Sequence, residues 1–299
     1  MSKEAAMDTD RFGNPFAPGL PYARGRILTS TEDDIAKLGR AWRIIERRMQ
    51  KDGPESVFNF SGLERSLPLE ARELPFADDE IAPALYGERL CELALDHLGG
   101  SSRLHDVMLF NRLTAATIAV HLALVKRDDV VIGVSPSYSH PTVVRAATHV
   151  GARFVDTSSL DSLQTALERE GRVTLVALTR LAVTYDLLPL EVIREVVRLA
   201  HEKGALVYVD DAGGARVGPA VFAQPKMLEL GVDVGATGLD KYGTSGPRLG
   251  LLAGERRLVE KIRARAFEFG LEARPMLYGA AVRSLEGYTP ERVRDLVNA

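Results

Sequence analysis

The stretch that decides the fold is VYVDDAGGARVGP, residues 207–219, read together with ATGLDKYGTSGPRLGLLAG, residues 236–254. Each is a short apolar run that stops at an edge of acids or glycines. Outward from this pair the same texture repeats: DVMLF, DVVIGV, ARFVDT, VTLVALT, ALVYVD, DVGAT and LGLLAG follow one another between residues 106 and 254. Helical segments such as TAATIAVHLALV, PTVVRAATHV, SLQTALERE and PLEVIREVVRLAHEKG separate most of these runs. Strands that are apolar throughout and alternate with helices predict an α/β fold, a mainly parallel seven-stranded sheet with helices on both faces. Ligands of such sheets sit beyond the C-terminal strand edges, so function is sought just after each run.

After DVMLF, the segment NRLTAAT opens a helix with small polar residues. Thr114 and Ala115 at such an N-terminus either cradle a phosphate or simply belong to an N-cap. After DVVIGV comes SPSYSHP, which brings Tyr138 and His140 to the strand edge, as rings that stack on a planar ligand or as plain packing residues. Asp210 closes ALVYV, and an unpartnered carboxylate leaving a buried strand is penalised by several kcal/mol. A cationic partner is expected, and Lys241 lies one βα step later in a turn softened by Gly238, Gly243 and Gly246. The two form either a structural ion pair or the fixed points of an aldehyde cofactor with a basic ring nitrogen. Pyridoxal 5'-phosphate needs a lysine for its Schiff base, an acid at the pyridine nitrogen and an anion site for its phosphate.

These motifs resemble a known family. VDDAGG followed thirty-one residues later by DKYGTSGPRLG looks like the large domain of a fold-type I pyridoxal-phosphate enzyme, the aspartate aminotransferase-like architecture. Within it, LDK before a Gly-Pro turn resembles the L-seryl-tRNA(Sec) selenium transferase branch, which also holds amino-sugar ammonia-lyases. The likeness runs from about Asn59 (NFSG) through Gly254. It implies that Lys241 forms the Schiff base and Asp210 pairs with the pyridinium nitrogen. It implies further that His140 stacks on the ring, with Ala212 beside it, and that Thr114 and Ala115 hold the phosphate. Two departures stand out: Gly213 occupies a position where relatives carry histidine, and only fifty-eight residues follow Lys241. The expected organisation is an N-terminal arm and docking helix over 1–58, a cofactor-binding large domain over 59–254, and an abbreviated or truncated small domain over 255–299. A homodimer or higher homo-oligomer is also expected, with the small residues of YGTSGP approaching a neighbouring subunit.

The chemistry follows from the cofactor. A substrate amine displaces Lys241, electrons drain from the α-carbon into the ring, and the freed lysine serves as base there. At ~4 Å and an effective dielectric near 20, Asp210 gains about 4 kcal/mol against the pyridinium before desolvation is counted. Elimination or β-replacement on a small amino acid or amino sugar is the expected reaction. Aminotransferase or cysteine desulfurase-like chemistry, seryl-tRNA selenium transfer and a partner-dependent cofactor-binding role are the alternatives. A substrate carboxylate calls for a guanidinium fork, and Arg248, Arg180 and Arg216 are the candidates, each also readable as surface charge.

Composition narrows the partners. A formal charge of −3 offers no general attraction for polyanions, so nucleic acid is not expected, and ERRLVEKIRARAFE reads as a solvated helix face. Cys91 is the only cysteine, which excludes an intrachain disulfide and cysteine-rich zinc sites. The histidines form no H-E-x-x-H pair, so no metal is expected, and His121 reads as a core residue. No run approaches the ~18 apolar residues of a membrane span, and no secretory leader opens the chain, so a cytoplasmic location is expected. Ile35, Leu38, Trp42, Ile45 and Met49 follow helical spacing, and IAPALYGERLCELALDHLGG predicts a second helix closed by glycine.

Overall fold

In the computed structural model, residues 31–182 and 184–298 are described, and the Gly/Pro/Arg-rich arm expected over the first thirty residues lies outside them. The chain divides into two compact units, one ending at Phe60 and one running from Ser61. In the first, α1 (Thr31–Asp52) carries the predicted stripe. Ile35, Leu38, Trp42, Ile45 and Met49 are all exposed, and α1 has no buried residue.

The second unit begins its regular structure with α2 (Ile81–Leu98), which ends on Gly99 at φ 76°, a left-handed cap that a side chain would strain. The alternation follows: β1 (His105–Phe110), α3 (Leu113–Leu124), β2 (Val130–Val134), α4 (Pro141–His149), β3 (Arg153–Thr157), α5 (Leu160–Arg169) and β4 (Val173–Thr179). It continues with α6 (Leu190–Glu202), β5 (Leu206–Asp210), α7 (Gly214–Phe222), β6 (Val234–Gly238) and β7 (Gly250–Glu255). The seven strands form one sheet in the order β1-β7-β6-β5-β4-β2-β3. Only β7 runs against its neighbours, β1 and β6. The C-terminal ends of β1, β2, β4, β5 and β6 therefore share one edge.

Apolar residues on both sides of the sheet feed two cores. Leu109, Ile132, Val207 and Val209 pack on one face with α2, α5 and α6. Phe110, Val131 and Tyr208 pack on the other with α3, α4 and the following helix α8 (Arg256–Phe269). The residues after β7 complete α8, α9 (Tyr278–Glu286) and α10 (Pro290–Asn298), and among the described residues they contain no strand. These helices belong to the same compact unit as the sheet. Among the described residues no helix is long and apolar enough to cross a membrane.

Candidate active site

The shared strand edge opens into a cavity of about 460 Å³. Thr114, His140, Asp210, Ala212, Lys241 and Arg248 line it together, brought there from the ends of β1, β2, β5 and β6 and from the turn before β7. Asp210 and Lys241 come from neighbouring parallel strands, since Asp210 on β5 registers with Ala236 on β6. Alternation then separates the two acids: Asp210 faces the cavity, whereas Asp211 is fully buried against Arg180, 2.7 Å away.

Arg180 therefore stands apart from the role expected of it at the substrate. Its guanidinium is fully buried, bonded to Asp211 and to the Pro225 carbonyl, and does not line the cavity. Ala115 is also displaced from the expected site: its N–H is spent on the Arg112 carbonyl and it packs on the core. The Leu113 and Thr114 N–H groups precede the first helical bonds of α3, and a helix start of this kind can receive an anion.

Burial pushes the Asp210 carboxyl up to about 6, against the opposing pull of Lys241 and the Ala212 N–H. Among the described residues its Oδ1 has no partner, and neither has the Thr179 hydroxyl on the adjacent strand end. Burial lowers the pKa of Lys241, Asp240 and Asp210 oppose that, and Arg216 and Arg248 add to it. His140 caps α4, with Nδ1 accepting from the Thr142 N–H. Desolvation by the surrounding protein, then the charges of Lys241 and Arg145, lower the pKa of its ring below the ordinary histidine value.

Several contributors escaped sequence reasoning. Arg65 and Arg112 join Arg248 at the cavity, and Asp240 binds Arg65 at 3.0 Å and faces Arg248 at 3.7 Å. The Arg65 segment is held there by Glu64, whose N–H bonds the Asp240 carbonyl. No local pattern announces a contact between residues so far apart. Tyr242 occupies the space beside Gly213, where a Cβ would fall 2.4 Å from its ring, so an aromatic ring follows the lysine in this chain. Within the chain, a Cβ on Gly246 would lie 2.7 Å from the Ser66 carbonyl, and one on Gly243 3.2 Å from Val293. His121 is a core residue bonded to the Thr117 carbonyl, and burial pushes it down to about 4. Among the described residues no three potential metal ligands cluster.

These residues fit pyridoxal phosphate. Among the described residues Asp210 Oδ1 is buried without a partner and could accept a ring N–H, an amine of lowered basicity lines the same cavity, and a helix N-terminus opens on it as an anion could use. Fold and site together define the class, the fold-type I pyridoxal-phosphate proteins.

The particular family follows from comparison. The chain is 32% identical over 272 residues to a UPF0425 pyridoxal phosphate-dependent protein of Methanothermobacter thermautotrophicus, covering 91% of this chain and 70% of the relative. A UPF0425 pyridoxal phosphate-dependent protein of Methanosphaera stadtmanae is 29% identical over 269 residues, covering 90% and 68%. The chain belongs to this UPF0425 family. No family model matches it. Among solved structures, the cystathione gamma lyase of Micromonospora echinospora shares the fold with a TM-score of 0.54 and 23% identity, over 66% of this chain and 50% of that one. The chain thus spans about half the length of that solved protein.

Proposed function

We propose that the chain is a pyridoxal-phosphate-dependent lyase or β-replacing transferase acting on a small amino acid or amino sugar. The observation that carries this is the pairing of Asp210 and Lys241 across one cavity, with Oδ1 of Asp210 unpartnered. Lys241 would hold the aldehyde carbon, Asp210 the ring nitrogen, His140 a ring face, and Thr114 with the start of α3 the phosphate. When bound, the cofactor supplies an electron-accepting ring that loosens bonds at the substrate α-carbon.

The chain's own residues do the rest. A free Lys241 amine would serve as the base at the substrate α-carbon, and burial lowers its proton affinity below that of an ordinary lysine. Arg248 offers its planar fork to a substrate carboxylate, with Arg65 and Arg112 adding positive charge beside it. Departure of a β-substituent completes elimination, and entry of a nucleophile gives replacement. Homo-oligomerisation and a place in the selenium transferase-like branch belong to the same proposal.

Borohydride treatment of the cofactor-loaded protein, followed by peptide mapping, tests it. The pyridoxyl mass is expected on Lys241, and β-substituted amino acids or amino sugars are expected to change the absorbance of the untreated protein. A label on another lysine overturns the site. Turnover that only exchanges amino groups with a keto acid moves the chain to the aminotransferases.

A further inference from the structure

Beneath the cavity lies a cation the proposed chemistry does not use. Arg216 on α7 is fully buried and does not line the cavity. Its Nη2 donates to the Ala212 carbonyl at 3.1 Å, the Thr237 hydroxyl at 3.0 Å and the Gly238 carbonyl at 2.5 Å. Its Nη1 lies 3.3 Å from Nε2 of His97 on α2. Burial, then Arg216 itself, pushes His97 down to about 3, so this ring is neutral and accepts. All four bonded partners are uncharged. Among the described residues no carboxylate bonds this fully buried guanidinium, and taking such a charge out of water is costly.

The bonded groups explain its retention. Ala212 is two residues past Asp210, and Gly238 is three residues before Lys241. Thr237 reinforces the clasp by donating to the Ala212 carbonyl at 3.3 Å. We propose that Arg216 is a positioning residue that clips the strand end carrying Asp210 to the turn carrying Lys241, and thereby sets how the chain takes up its aldehyde cofactor. This rests on the proposed role of Lys241.

The clip acts in two ways. Its bonds fix the separation of the two strand ends, which a planar cofactor must span. Its fixed charge lowers the basicity of Lys241 in company with Arg248, against Asp240 and Asp210, so more of the amine is in the nucleophilic form. The groups that face Arg216 in turn are Asp211, Asp240, Tyr242 and Tyr288, with His97 at its edge.

Three variants separate these effects. Arg216→Met removes bonds and charge, Arg216→Lys keeps the charge but loses the planar fork, and Thr237→Val removes one bonded hydroxyl while leaving the guanidinium. Each is compared with the unaltered protein in two measurements. The first is pH-dependent acetylation of Lys241 in the apo protein, read by mass spectrometry. The second is the dissociation constant for pyridoxal phosphate. Arg216→Met is expected to weaken cofactor binding tenfold or more and to move the Lys241 labelling midpoint to higher pH, with circular dichroism unchanged. Arg216→Lys and Thr237→Val are expected to weaken binding while keeping the labelling midpoint.

If Arg216→Met does not fold, Thr237→Val decides the clip: binding within twofold of the unaltered protein overturns it. Unchanged binding and midpoint in a folded Arg216→Met protein also overturns it, while leaving Lys241 in place. Absence of any Lys241 adduct in the unaltered protein overturns the function and this inference with it.

Discussion

Burial holds the Asp210 carboxylate in a state that opposes folding, and Lys241 only partly offsets it. An unfolded aspartate has a pKa of about 3.9, while the folded one is pushed up to about 6. Between these values the folded state binds more protons than the unfolded one, so stability falls as pH rises through the window, and above it the full penalty applies, about 3 kcal/mol at most. Asp210→Asn is therefore expected to raise the melting temperature of the apo protein by several degrees at pH 7.5, leave it unchanged at pH 4, and release the cofactor. Melting at or below the parent at pH 7.5 would show that the carboxylate is not strained there. The sequence made Asp210 and Lys241 legible as candidates because each follows a short run of apolar and small residues that ends at the sheet edge. It hid Arg65, Arg112 and Asp240, because their meeting depends on residues 61–66 crossing the strand edge. It also led Arg180 and Ala115 astray: a residue just after a strand can turn inward to a buried acid, and an early helical N–H can already be spent.

At the scale of elements, the anion site depends on how closely β7 backs the start of α3. A Cβ on Gly250 would fall 2.8 Å from the backbone of Arg112 and Leu113, so glycine lets the strand pass directly beneath the turn. Gly250→Ala must push α3 away, a strain on the order of 1–3 kcal/mol that a chain of this size survives. Affinity for pyridoxal phosphate is expected to fall at least tenfold, and affinity for unphosphorylated pyridoxal to change little. Equal losses for both would mean that the phosphate is held elsewhere. The central strands were readable because burial on two faces leaves them short runs of apolar and small residues. α7 was not: GARVGPAVF carries two further glycines or prolines within a turn-like texture, and its helix is held by tertiary contacts, among them Arg216 bonding both strand ends and Arg294 on α10 bonding the Ala220 carbonyl.

At the scale of the molecule, the question is whether the likeness to an enzyme acting on a charged tRNA extends to this chain's partner. Binding a polyanion requires cations that are free to replace counterions at phosphates. The basic helix α8 offers few of these. Arg256 bonds the Ser102 and His105 carbonyls, Arg263 bonds Asp106, and Arg257 and Arg265 pair with Glu255 and Glu268. With a formal charge of −3 over the whole chain, a small amino substrate is the reading these contacts favour. Reversal of Arg256 or Arg263 would also break contacts to the start of β1, so the informative positions are Arg257, Lys261 and Arg265. Titration of tRNA at several salt concentrations is expected to give weak binding that the triple charge reversal leaves unaltered. A log affinity that falls by several units per decade of salt, and flattens on reversal, would instead mean that α8 neutralises several phosphates and that the substrate arrives on RNA.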